Sequence, residues 1–206
     1  MTETTQRGEE RIKQGVDLEN VEAFLDYAEA NPADVQFELG AVGTYEGRAI
    51  HTRAKTGPYT LGGGEIDRVA REYTYHFGGH REVEEAVGFV DPTDRREVIE
   101  TALAALAGCL NAAVSMSALA QGVELDELET TVRIEWDPFV FLWLEDVEGE
   151  DGAPRDMFGD LQVEIEVSGE DVDEGTLDEI REWTGRSAVY NLFTLPHRCE
   201  PEVGLK

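Results

Sequence analysis

The chain has 206 residues, enough for one domain with an ample core, and 45 acidic against 17 basic side chains give a net charge of −28. The acidic residues run along the whole length, which excludes nucleic acid as the default partner, because phosphate recognition needs a basic surface. With 41% hydrophobic residues the chain is predicted to fold, and its scarce lysines (Lys13, Lys55 and Lys206) fit a halophilic surface adapted to a salt-rich cytosol.

No Pro-, Ser- or Gly-rich linker divides the sequence, so a single domain over 1–206 is expected. Residues 1–15 are polar, are predicted to be a flexible N-terminus, and carry no apolar leader, which points to a cytoplasmic protein. Residues 16–31, VDLENVEAFLDYAEAN, set Val16, Val21, Phe24, Leu25 and Ala28 on one side, with Asp17 as cap and Pro32 beyond the end. A peripheral amphipathic helix is predicted there.

From Val35 the period shortens. VQFELGAVG alternates apolar and polar residues, and with RAIHTRA it reads as a hairpin turning at Glu46-Gly47. TGPYTLGGGEID reads as a flexible loop; its three glycines lack the spacing and the lysine of a phosphate loop. REYTYHF, 71–77, is predicted as a third strand, AVGFV, 86–90, as a short fourth, and DPTDRREVIE, 91–100, as a helix start capped by Asp91 or Thr93.

Thr101 to Gln121, TALAALAGCLNAAVSMSALAQ, carries no charge and no proline. It is predicted as a helix apolar on almost every side and therefore buried, ending at Gly122. It is long enough to span a bilayer, but its centre is Ala, Gly, Ser and Asn, and Asn111, Ser115, Ser117 and Gln121 would be costly in lipid. No membrane association is expected. Beyond it VELDELETTVRIEWDP returns to strand, FVFLWLED (139–146) looks too apolar to be exposed, and GEDGAPRDMFG is an acidic loop. DLQVEIEVSGE alternates with Leu161, Val163, Ile165 and Val167 inward, and TLDEIREWTGR (176–186) is a second amphipathic helix before SAVYNLFT and a tail with Cys199. Strands, long helix, strands and helix in that order make an α+β chain of antiparallel sheets around a long central helix.

Four histidines, at 51, 76, 80 and 197, form no metal-binding pattern, and neither HExxH, CxxC nor GxSxG occurs, so no metal or other cofactor is expected. Cys109 is the residue with chemical potential. Its helical neighbours Ala102, Ala105, Leu106, Ala112, Ala113 and Met116 are mostly small, which lets another element approach closely. A reactive thiol must be ionised, which needs a cation or a helix N-terminus. Cys109 is mid-helix, so its own helix cannot serve, and the arginines of the preceding strands and loops (48, 53, 68, 71 and 81) are the expected source of charge.

The run VIETALAALAGCLNAAVSMSAL, the strand ending VRIEWDP, the alternating QVEIEVSGE and the segment SAVYNLFTLP together resemble the OsmC/Ohr family of osmotically inducible and organic hydroperoxide resistance proteins. The resemblance spans about residues 70–200. It implies an intertwined homodimer with the cysteine-bearing helices packed at its centre, and it implies a thiol-dependent peroxidase. Cys109 would then be the peroxidatic cysteine that an organic hydroperoxide oxidises to a sulfenic acid, and Glu100 would hold an activating arginine, Arg71 or Arg48. Glu100 stands nine positions before Cys109, about half a turn away on an ideal helix. Either the helix begins after Glu100 or the site is completed across the dimer interface. Many members carry a second, resolving cysteine where this chain has Ser187, which with Arg48 is assigned to the substrate side of the site. A serine forms no disulfide, so an external thiol or dithiol reductant is implied. The other reading is a non-catalytic protein binding a small apolar ligand in a dimer cleft lined by Phe139, Phe141 and Trp143.

Overall fold

Residues 12–66 and 73–205 are described by the computed structural model of the chain, and they fall into two units divided between Thr101 and Ala102. In the first, Ile12–Lys13 (β1) and Val16–Asp17 (β2) pair across a turn at Gln14 and Gly15, whose φ angles are 50° and 79°. The expectation of a loose segment up to residue 15 is thereby corrected from Ile12 onward; residues 1–11 lie outside the described residues. Helix α1, Leu18–Ala30, is capped as expected, Asp17 accepting from the Glu19 and Asn20 N–H groups at 3.2 and 3.4 Å. None of its residues is buried.

The alternating stretch after Val35 divides at Leu39-Gly40 into Phe37–Glu38 (β3) and Ala41–Tyr45 (β4), which join different three-stranded antiparallel sheets. β4 forms the expected hairpin with Thr52–Thr56 (β5), whose other edge takes Thr74–Phe77 (β8). The predicted glycine loop is instead a second hairpin, Tyr59–Leu61 (β6) with Gly64–Ile66 (β7), paired through β6 to β3. Gly62 and Gly63 hold φ of 58° and 75°, the two left-handed positions of a tight hairpin turn, and a Cβ on Gly62 would reach 2.9 Å from the Asp34 carbonyl oxygen. AVGFV forms no strand. Arg81–Ala86 is a short helix (α2), and the chain after it closes back, the Phe89 N–H donating to the Glu84 carbonyl at 2.9 Å. A five-residue apolar run fits a helix tail as well as a strand, and the preceding REVEEA favours the helix.

The long helix α3, Val98–Gln121, runs from the first unit into the second. Neither Asp91 nor Thr93 caps it. Thr93 is engaged with Glu84, and the Glu97 carboxylate accepts the Glu100 N–H at 2.9 Å in their place. Gly122 ends the helix at φ 75°, with the Val123 N–H on the Ala118 carbonyl at 2.9 Å, as the glycine led one to expect. The prediction of burial on almost every side is corrected. Leu106, Leu110, Val114, Ser117, Ala118 and Leu119 are buried, while Ala104, Ala105, Gly108, Ala112 and Met116 are exposed in the single chain. The cause is that one sheet and one helix pack on it within its own unit, covering a single stripe.

That packing is the core of the second unit. Glu127–Arg133 (β9) and Gln162–Ser168 (β10) pair antiparallel, Arg133 opposite Gln162 and Glu127 opposite Ser168. Ile165 and Val167, inward as the alternation predicts, meet Val114 and Ala118 of α3 together with Ile180 and Trp183 of α4, Glu174–Trp183. Each fully buried side chain such as Leu106, Leu110 or Val114 contributes about 1.5–3 kcal/mol. Among the described residues α3 is the one helix long and apolar enough to cross a membrane.

Between β9 and β10 the connection 134–161 folds on itself through bridges Trp136–Phe158 and Glu148–Pro154. The expectation that FVFLWLED is too apolar to be exposed is overturned here: Phe139, Phe141 and Trp143 are 47%, 53% and 90% exposed. The segment is a succession of turns, with Phe139 N–H on the Asp137 carboxylate and Leu142 N–H on the Pro138 carbonyl, so no strand alternation carries its side chains inward.

Candidate functional site

Cys109 lies half-buried midway along α3. After α4 the chain makes one 3-10 turn, Thr184–Arg186, and restarts as helix α5, Ala188–Thr194, with Ser187 as its cap. The Ser187 hydroxyl oxygen accepts the Tyr190 N–H at 3.1 Å, and the residue is 1% exposed. The start of α5 bears on the Cys109 thiol through the Ser187 side chain and the backbone at Val189 and Ala188. Burial pushes the thiol pKa up, but Ser187 first, then Val189 and Ala188, outweigh it and hold the group below its ordinary value.

The start of a helix thus bears on the thiol, in addition to the charge expected from arginine. The helix concerned is not the one that carries the cysteine. Sequence reasoning gives SAVYNLFT no helix and so misses it. The available signal was a serine in front of seven residues free of Gly and Pro. The small residues around Cys109 agree with so close an approach.

Nearby in the same unit, the Thr130 hydroxyl donates to the Asn111 side-chain oxygen at 2.6 Å and ties α3 to β9. A cavity of about 500 Å³ opens between Val163, Ile165 and Val167 of β10, Ile180 of α4 and Tyr190 of α5. Tyr190 connects the two features, since its side chain lines the cavity while its N–H is held by Ser187.

The other residues named from the sequence belong to the first unit. Arg71 lies outside the described residues, as does Arg68. Glu100 is exposed in the first turn of α3, and among the described residues no arginine bonds its carboxylate. Because α3 starts at Val98, Glu100 is inside the helix, which removes the alternative that the helix begins after it. Arg48 is anchored within its own unit: its guanidinium donates to the Val90 and Asp91 carbonyls at 2.8 and 3.0 Å, lies 3.5 Å from the Glu84 carboxylate and stacks over Phe89 at 4.9 Å.

Glu84, fully buried, was not singled out by its sequence, because REVEEA reads as a solvated helix. Its carboxylate meets buried His51 at 2.6 Å and accepts the Thr93 N–H at 2.7 Å. Burial pushes its pKa up, but Thr93, His51 and the Gly79 N–H bring it down to about 2. Cys199 is exposed in the tail. Among the described residues no group of three or more His, Cys, Asp or Glu side chains could hold a metal ion.

The family model described as OsmC-like protein matches residues 99–201, half of the chain. Nothing matches among curated proteins. Among solved structures, the chain is similar to an organic hydroperoxide resistance protein from Elizabethkingia anophelis, with 15% identity over 78% of this chain and 89% of that one and a TM-score of 0.46. An OsmC-like protein from Mycoplasma pneumoniae shares 14% identity over 78% and 88% of the two chains, with a TM-score of 0.47. The organic hydroperoxide resistance protein OhrB of Bacillus subtilis shares 18% identity over 76% and 90%, with a TM-score of 0.41.

Proposed function

The chain belongs to the OsmC-like protein family, and from that premise we propose that it is a thiol-dependent peroxidase that reduces organic hydroperoxides through Cys109. The observation that carries this reading is the Cys109 thiol, half-buried and held below its ordinary pKa by the Ser187 side chain and the backbone at Val189 and Ala188. The thiolate attacks the distal oxygen of the hydroperoxide. A sulfur–oxygen bond forms, the oxygen–oxygen bond breaks, and the alkoxide leaves as alcohol after taking a proton. The sulfenic acid then condenses with an external thiol to a mixed disulfide and water. A second thiol, or the other arm of a dithiol, releases Cys109 and leaves as the oxidised reductant.

An external reductant is required by Ser187, which cannot resolve the sulfenic acid within the chain. The arginine and glutamate that the resemblance assigns, Arg71 or Arg48 with Glu100, belong to the proposal in the same way, and turnover of R48A, R71A and E100Q weighs them. The working form is a homodimer in a salt-rich cytoplasm. A second copy would cover the small-residue face of α3, Ala105, Gly108 and Ala112, that the single chain leaves open.

The test is peroxide consumption with a dithiol reductant. Cys109→Ser abolishes turnover and Cys199→Ser retains it; equal loss in both overturns the assignment. A folded protein that turns over no hydroperoxide at all returns the choice to the apolar-ligand reading.

A further inference from the structure

We propose that the connection 134–161 is a preformed docking surface for a partner protein, and that its occupant is a basic amphipathic segment anchored on Trp143. Two grooves open on this stretch. One, of about 530 Å³, sets Trp136, Phe139 and Phe158 beside Glu135, Asp137 and Asp156. The other, of about 550 Å³, sets Val140, Trp143 and Val147 beside Glu145, Asp146 and Glu148. In both, apolar surface and carboxylates line the same space, and among the described residues no lysine or arginine joins them.

The apolar part is open and held in shape. Leu144, Val147 and Trp143 are 67%, 71% and 90% exposed, and no other aromatic side chain among the described residues is as exposed as Trp143. Its φ is 59°, a left-handed backbone that costs a bulky aromatic residue energy and costs glycine none. The indole is thus neither buried in the core nor suited to its backbone, so folding gives no reason for a tryptophan at this position. The surrounding turns are fixed by hydrogen bonds. The Leu144 N–H donates to the Phe139 carbonyl at 2.9 Å, the Arg155 N–H to the Val147 carbonyl at 3.0 Å and the Gly149 N–H to the Ala153 carbonyl at 2.9 Å. Trp136 meets Phe141 edge to face at 6.0 Å. A surface ordered in advance loses little freedom on binding.

Charge identifies the occupant. Residues 134–161 carry nine acidic side chains and one basic, Arg155, whose guanidinium lies 3.0 Å from the Glu145 carboxylate. A second copy would bring the same charge face to face, and nucleic acid or an anionic lipid surface would be repelled. The occupant that fits presents Lys or Arg beside an apolar stripe, as a basic amphipathic helix does, with its apolar side chains on the aromatics and its cations on the carboxylates.

The experiment titrates the full chain into a dye-labelled amphipathic helical peptide of Leu and Lys and follows fluorescence anisotropy, at the lowest salt that keeps the chain folded. The parent protein should bind it, and a peptide with Glu in place of every Lys should bind about tenfold more weakly or worse. Trp143→Gly keeps the charge, removes the ring and relieves the backbone. It should weaken binding of the Leu/Lys peptide about tenfold or more while leaving the thermal midpoint unchanged or raised. Glu148→Gln should weaken binding severalfold and flatten its dependence on salt. A parent protein that ignores the Leu/Lys peptide overturns the proposal. So does equal binding by Trp143→Gly, which would mean general attraction of a cation to a chain of net charge −28, and so does equal binding of the Glu peptide, which would mean an unselective apolar patch. Self-association, or binding to phosphatidylcholine vesicles, that is lost in Trp143→Gly would give the surface to a second copy or to lipid and overturn the assignment of a basic partner.

Discussion

The chain holds two acidic groups, a carboxyl and a thiol, below their ordinary pKa in opposite ways. Glu84 is sealed at 0% exposure, where its partners include two cationic or ionisable side chains, Arg48 and His51. Cys109 is half-buried, and among the described residues the groups that lower its thiol pKa are neutral, the Ser187 side chain and the backbone at Val189 and Ala188. An anion locked by charges out of reach of solvent binds its surroundings together and is chemically inert. Neutral donors stabilise an anion less, and at a half-open position the lone pairs they leave free can attack. On the proposed function the difference separates a structural carboxylate from a reactive thiol, although both are depressed.

Breaking the Glu84 side of this comparison should have the largest effect on stability. Glu84→Ala leaves His51 and Arg48 without their shared partner and should cost about 3–5 kcal/mol in denaturant unfolding. The same group sets an acid limit. Its folded pKa of about 2 lies below the ordinary 4.5, so its contribution is complete above about pH 4.5 and fades as pH falls toward 2. Midpoints measured across that window should fall steeply in the parent protein and less steeply in Glu84→Gln.

A smaller effect sharpens the Cys109 side. Thr130→Val removes the hydroxyl that ties Asn111 to β9 two residues beyond the cysteine, and should cost about 1 kcal/mol. The smallest effect on chemistry is expected from ionic strength. With the neutral donors found among the described residues, the Cys109 thiol pKa should move little with salt, while the thermal midpoint of a chain with net charge −28 should drop by several degrees in low salt. A thiol pKa that follows the salt concentration would instead reveal a charged partner such as an arginine.

The contrast also explains what could be read in advance. The long helix, its glycine stop, the β9–β10 alternation and the cap at Asp17 are local patterns of period and capping, and each was legible in consecutive residues. Cys109 stood out by its place in an uncharged run and by the family resemblance. What escaped were contacts between residues distant in sequence: His51 with Glu84, and Cys109 with the start of α5 at Ser187. Nothing in REVEEA distinguishes a buried glutamate from a solvated one. The burial of α3 was overestimated for a related reason, since an apolar circumference says how much surface wants cover and not how much of it one chain supplies. The exposed FVFLWLED segment teaches the same lesson, as its hydrophobicity was plain and its lack of regular structure was not.

The most direct measurement is intact-protein mass after one equivalent of cumene hydroperoxide in high-salt buffer, on the parent protein and on Cys109→Ser. The expected result is one added oxygen, absent in the variant and removed by a dithiol, as a one-cysteine peroxidase with an outside reductant requires. A parent protein that stays folded and gains no oxygen at Cys109 would contradict the central claim, leaving an OsmC-like chain whose cysteine does no peroxide chemistry.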